Sequence, residues 1–204
     1  MPLTSPTSIR RAERDDLDTV IQWMDDPDFI HFLYGDEAQS PRQVRENIVA
    51  MLGRSPSNMV PGSIHLVVDH AERGPMGLIS LQKISWRNRS CMIDLYMDRR
   101  DQRGTMETGV AMYRALEYCF DELNLHRVGA VIYAFNQRSW RLMERTGAKR
   151  ELVLKDHVTR DGAFHDMYSY GLLRSEFNAF REQATHFRAM SLEAMIERVM
   201  SEKS

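Results

Sequence analysis

Asp94 stands alone as a carboxylate inside an apolar run, Cys91-Met92-Ile93-Asp94-Leu95-Tyr96-Met97. Desolvation penalises the charged form, so Asp94 is expected to keep its proton to higher pH than a solvated aspartate, which suits a general base. The competing reading is a structural carboxylate bound to Arg or His. Strand alternation puts Met92, Asp94 and Tyr96 on one face, so Tyr96 either lines a pocket beside Asp94 or packs in the core. Asn136-Gln137-Arg138-Ser139 reads as a helix start: Asn136 caps it, and the Ser139 hydroxyl either satisfies local backbone or is available as a donor. No Ser or Cys sits in a recognisable nucleophile elbow, and His65 and His70 do not form a convincing metal pair. Cys91 and Cys119 lie in separate elements without metal-ligand spacing and read as small core residues. One disulfide between them is open, with reduced thiols in a cytoplasmic protein the favoured reading. His31, His157 and His165 read as solvated or packed.

The chain that must position these groups has 204 residues, which suits one domain. Lys+Arg is 27 against Asp+Glu 29, so the near-neutral balance gives no support for a nucleic-acid partner. No apolar stretch approaches the roughly 20 residues a membrane helix needs. The start, Met1 to Pro6, lacks the basic-then-apolar pattern of a secretory signal, and a cytoplasmic location is expected. There is no repeat and no interdomain linker.

Apolar periodicity and turn residues predict a strand at Ser8–Arg11, then a helix capped by Asp15 or Asp16 and carrying Leu17, Val20, Ile21 and Met24. A short apolar segment follows at Asp28–Asp36, then a helix starting at Ser40 and ending at Gly53. Strands are predicted at Ile64–Asp69, Met76–Ile84 and Ser90–Met97. A long helix from Thr105 to Leu123, a strand at Arg127–Phe135 and a helix from Asn136 to Gly147 come next. Two strands, Ala148–Val158 and Phe164–Leu173, are joined by a turn containing Asp161-Gly162. The stretch from Arg174 is an amphipathic helix or helix pair with Phe177, Phe180, Phe187, Met195 and Val199. This order predicts a mixed α/β sheet with helices on both faces.

The order resembles the GCN5-related N-acetyltransferase (GNAT) fold over roughly Ile9 to Glu176. The run Glu117 to Val128 looks like that family's helix leading to its fifth strand. Asn136-Gln137-Arg138-Ser139 with Leu142 to Gly147 looks like the Asn-x-x-Ser helix of the RimJ/RimL branch, and Glu151, His157, Gly162 and Asp166 through Leu173 match its closing hairpin. The resemblance implies a mostly antiparallel sheet of about six to seven strands, splayed between the fourth and fifth, with an extra C-terminal helix. It implies an acyltransferase domain over residues 1–176 and a helical extension of the same domain over 177–204.

The activity so implied is direct transfer of an acetyl group from acetyl-CoA to a primary amine of a small molecule or protein, without a metal. The resemblance puts the phosphate-binding loop at Arg103-Gly104-Thr105-Met106-Glu107-Thr108, where the family usually has Gln/Arg-x-x-Gly-x-Gly/Ala. Met106 and Thr108 occupy the two small-residue positions, and Glu107 adds negative charge near a site for anions. Tyr96, Met97, Asn136 and Ser139 are the other expected cofactor contacts, and Asp94 and Ser139 the expected base and thiolate proton donor. Tyr34, Trp86 and Tyr96 are expected to shape the acceptor pocket. Met143 stands where many family members carry a tyrosine acid. These departures keep two alternatives open, a degenerate binding or regulatory protein and an enzyme for a longer acyl-CoA donor. A homodimer is a further expectation, with the amphipathic tail as its means.

Overall fold

The sheet is assembled from five antiparallel pairings and one parallel contact, and that contact decides where a ligand can enter. A computed structural model describes residues 5–24, 60–98, 106–185 and Ile196. Tyr34 and the segment around it, the helix expected at Ser40, the loop residues Arg103, Gly104 and Thr105, and Phe187, Met195 and Val199 of the tail lie outside the described residues.

The strands are β1 (Thr7–Arg11), β2 (Ile64–His70), β3 (Gly74–Ser85), β4 (Ser90–Met97), β5 (Arg127–Tyr133), β6 (Lys149–Arg160) and β7 (Ala163–Leu173). The helices are α1 (Leu17–Met24), α2 (Met106–Glu117), α3 (Gln137–Arg145) and α4 (Arg174–Thr185). The seven strands form one sheet in the order β1-β2-β3-β4-β5-β7-β6. Every neighbour pair is antiparallel except β4–β5.

Each side of the sheet buries a different helix set. On one face α1 lays Val20 and Trp23 over Val67, Leu78 and Tyr96. On the other, α2, α3 and α4 cover a larger core through residues such as Val110, Leu116, Met143 and Phe177. Aromatic rings join α4 to α2: Phe177 lies 5.6 Å from Tyr113 and 5.2 Å from Phe120 between ring centroids. The approach of α1 is set by charge. Arg10 on β1 pairs with Asp16 and Asp69, each at 2.6 Å, and Asp16 accepts from the Glu13 backbone N–H in a capping box ahead of α1.

The predicted helix from Thr105 to Leu123 begins as α2 and closes as a π-turn over Tyr118–Glu122. Its stripe Val110, Tyr113, Leu116 and Phe120 is buried. The wider turn frees carbonyls at its end, and Arg174 takes those of Phe120 and Leu125 while also bonding the Asn124 side chain. Asn124 then turns the chain at φ +53°. The closing hairpin is tighter than the predicted five-residue connection from Thr159 to Ala163. Pairing continues to Arg160↔Ala163, and Asp161 and Gly162 turn at φ +51° and +75°, the two positive angles of a type I′ turn.

Candidate active site

The parallel contact between β4 and β5 is short. It consists of Ser90↔Arg127, Cys91↔Val128 and Met92↔Gly129, after which the strands separate. Among the described residues, β4 pairs only with β3 from Ile93 to Met97, whereas β5 pairs only with β7 from Ala130 to Tyr133. Seven registers to β7 hold β5 on its far side, so twist accumulates into a wedge rather than a closed ladder. At the last paired register the Met92 thioether lies over Gly129; a β-carbon there would stand 2.8 Å from Met92 Sδ. Past it, no strand pairing joins the facing edges of β4 and β5 among the described residues.

Asp94 stands at this edge, two residues beyond the last pair. Its Oδ2 accepts from Gln82 Nε2 at 2.9 Å. Burial pushes its pKa up to about 6, with Lys83 pulling it partly back. A carboxyl that ionises near neutrality can accept a proton from an ammonium at cellular pH. On the same face His65, buried on β2, has Nδ1 3.0 Å from Ser80 Oγ, and Ser80 is the cross-strand partner of Asp94. Sequence reading singles out neither Gln82 nor Ser80, and weighs His65 only as a metal ligand with His70. Each is a polar residue on an apolar strand, a weak signal until the register brings them together.

Tyr96 shares that face but lies under α1, 5% exposed, with its ring 6.1 Å from Trp23 and its hydroxyl donating to the Asp98 carbonyl at 3.4 Å. Met97 is buried in the opposite core, where its thioether faces Gly77. Trp86 lies at the other end of the β3–β4 hairpin, beyond Ser85↔Ser90, and donates its indole N–H to the Pro61 carbonyl at 2.7 Å. The fold therefore does not bring Trp86 and Tyr96 together.

Among the described residues α2 runs from Met106, so Met106, Glu107 and Thr108 lie at its N-terminal side, toward the positive end of the helix dipole. The bulk at the two expected small-residue positions turns inward: Met106 packs against the core and Thr108 is buried. Glu107 is ion-paired with Arg73 at 2.6 Å, which offsets its charge. Gly109 serves packing: a β-carbon on it would lie 2.7 Å from Ile196.

Asn136 caps α3 by accepting from the Ser139 N–H at 3.3 Å. The Ser139 hydroxyl has no hydrogen-bond partner among the described residues and is half-buried at the start of α3, which follows β5. Met143 is 1% exposed and fills the core under α3. Cys91 and Cys119 are buried free thiols. They touch: a hydrogen bond from Cys91, with burial, pushes the Cys119 thiol up. Among the described residues no three His, Cys, Asp or Glu side chains gather to hold a metal, and no helix is long and apolar enough to cross a membrane.

Comparison with known proteins agrees with this architecture. The pattern of the acetyltransferase (GNAT) domain matches residues 7–149. The uncharacterized N-acetyltransferase p20 of Bacillus licheniformis is 22% identical over 85% of this chain and 96% of its own. The uncharacterized N-acetyltransferase YnaD of Bacillus subtilis is 38% identical, over 31% of this chain and 37% of its own length. The spermidine N(1)-acetyltransferase of Vibrio cholerae is 28% identical over 54% of this chain and 64% of its own. The crystal structure of the Vibrio cholerae spermidine N-acetyltransferase with CoA and spermine superposes with a TM-score of 0.74, at 21% identity, covering 86% of this chain and 99% of that one. The domain match takes in the wedge, the start of α2 and the whole of α3, and by it this chain belongs to the GNAT acetyltransferase family.

Proposed function

We propose that the protein is an acyl-CoA-dependent N-acyltransferase that moves an acetyl group to a primary amine by direct attack. The observation that carries this reading is the parting of β4 from β5 after Met92↔Gly129. A thioester on a long, amide-bearing arm suits such an opening, because the facing strand edges offer hydrogen bonds along its length. The positive dipole end of α2 suits a pyrophosphate, and the Arg73–Glu107 pair offsets the charge that would oppose it.

In this reading Asp94 takes the proton that the ammonium must lose before its lone pair can attack. A backbone N–H of β4 at the wedge stabilises the negative charge that develops on the acyl oxygen. Ser139, with its hydroxyl uncommitted, supplies a proton to the departing thiolate and contacts the cofactor, while Asn136 holds the turn that presents it. Tyr96 backs the acceptor side from beneath α1. Arg103, Gly104 and Thr105 complete the phosphate loop with Met106, Glu107 and Thr108, and Tyr34 borders the acceptor pocket; Trp86, at the far end of the hairpin, does not. Binding by a degenerate relative and use of a longer acyl-CoA remain the competing readings.

The RimJ/RimL-like branch and a polyamine acceptor are the finer form of the proposal; the named activity of the Vibrio relative is their support. We assign the protein to the cytoplasm, in keeping with its two free thiols, and to a homodimer, in keeping with the apolar surface of Leu152, Val153 and Phe164 on the closing hairpin. Acetyl-CoA at 100 times its Kd should stabilise the fold by about 2.7 kcal/mol. No rise in Tm with millimolar acetyl-CoA removes the reading. A rise with no turnover across a panel containing spermidine, spermine, amino sugars and peptide N-termini favours the binding protein, and a stronger response to longer acyl-CoAs favours the other donor.

A further inference from the structure

The vertex of the wedge carries apolar side chains that neither core uses. Alternation puts Met92 and Asp94 on one face of β4, and the pairing Met92↔Gly129 puts Gly129 and Val131 on the same face of β5. Their chain neighbours Cys91, Ile93, Val128 and Ala130 point the other way, into the core under α2. Among the described residues Met92 and Val131 belong to neither packed cluster. Met92 is half-buried and Val131 is 38% exposed.

Gly129 is what lets the Met92 side chain cross from one strand to the other. A β-carbon there would stand 2.8 Å from Met92 Sδ and 3.4 Å from its Cε. The thioether therefore closes the vertex on the face that carries Asp94, at the last register where the strands still meet.

The direction of entry follows from the topology. β4 and β5 are parallel and part toward their C-terminal ends, and α2 follows β4 at that end. With its pyrophosphate at α2, an acyl-CoA arm enters from the open end, and its acyl group is the part that reaches deepest. Two residues of strand separate Asp94 from Met92, roughly 6.6 Å. The amine, the thioester carbonyl and the acyl chain must share that interval with the thioether. An acetyl group adds one methyl beyond its carbonyl, and each further methylene runs toward Met92.

We propose that Met92 is a specificity-determining residue for the donor: lying over Gly129, its thioether stops the acyl chain at the vertex, with Val131 as the apolar wall beside it, and so selects a short acyl group. The inference rests on the acyltransferase reading above and names the residue that sets its donor. Because a methionine is unbranched and flexible, the selection is graded, with affinity falling as the chain lengthens.

The test is calorimetric titration of the full chain with acetyl-CoA and butyryl-CoA, read as the ratio of the two Kd values, in which everything common to the donors cancels. A methylene gained or lost at a filled apolar site changes binding about 10–200-fold, so butyryl-CoA should bind the parent at least about tenfold more weakly than acetyl-CoA. M92A opens the vertex and should shrink that ratio by about tenfold or more. M92L, which nearly conserves volume, should keep the parent's ratio. M92V, shorter than Met and suited to a strand, should move as M92A does and decides if M92A does not fold. A ratio unchanged in M92A and M92V, or a parent that binds butyryl-CoA as tightly as acetyl-CoA, overturns the proposal while acetyl-CoA binding leaves the acyltransferase reading standing. Failure of the parent to bind either donor removes that reading, and the stop with it.

Discussion

Replacing Asp94 by Asn should make the protein both more stable and less active at neutral pH. The carboxyl ionises near 6 in the fold against 3.8 in its ordinary state, because burial penalises the charge. The difference of about two corresponds to roughly 3 kcal/mol. Between pH 4 and 6 the folded state holds a proton that the unfolded chain has released, so the parent loses stability as pH rises through that window. Asn cannot ionise, still has an oxygen for Gln82, and escapes the loss. Urea denaturation should therefore show D94N more stable by up to roughly 3 kcal/mol at pH 8, with the advantage gone near pH 4. Its kcat/KM should fall about 10²–10⁴-fold, the usual contribution of a general base. In the parent, kcat/KM should drop about tenfold from the plateau by pH 5, where about one-tenth of a carboxyl with a pKa near 6 is ionised. Equal stabilities of parent and D94N at pH 4.5 and pH 8, or a parent rate flat down to pH 5, would refute the argument from burial.

The other predictions concern the parts that hold the wedge. Gly77→Ala places a β-carbon 2.4 Å from the Tyr96 carbonyl, a backbone atom that cannot swing aside, and should lower stability by about 1–3 kcal/mol in the same denaturation assay. Asn136→Ala removes the cap from the Ser139 N–H and should cost about 1 kcal/mol, while Asn136→Asp retains the acceptor and should not. Arg174→Ala strands the carbonyls of Phe120 and Leu125 beside the π-turn; loss of charged hydrogen bonds predicts about 1.5–3 kcal/mol, and hydrogen exchange should rise first at Tyr118–Leu125.

Several features were legible in the sequence because neighbouring residues alone determine them. Asp161-Gly162 reads as a type I′ turn since both positions must take positive φ, and they do. Gly147 and Asn124 end helices for the same steric reason, at φ +92° and +53°. The cap at Asn136 depends on a side chain reaching an amide three residues on. The helical stripe of α2 and the oddness of Asp94 follow from periodicity. The resemblance to the acetyltransferases, carried by ordered motifs, anticipated the splay.

Register and depth were decided by tertiary structure, because strand pairing sums the burial of whole elements brought together over long loops. The insertion of β7 between β5 and β6 is such a choice. Alternation put Tyr96 on the Asp94 face, yet only the docking of α1 turned it into a partner of Trp23. Met106 and Thr108 looked obstructive in the loop until the packing of α2 turned them inward. His65 and Ser80 are ordinary strand residues until β2, β3 and β4 align them with Asp94. A carboxylate's place in the chain shows that it will be desolvated; which donors meet it depends on contacts between residues far apart in sequence, which no local pattern encodes.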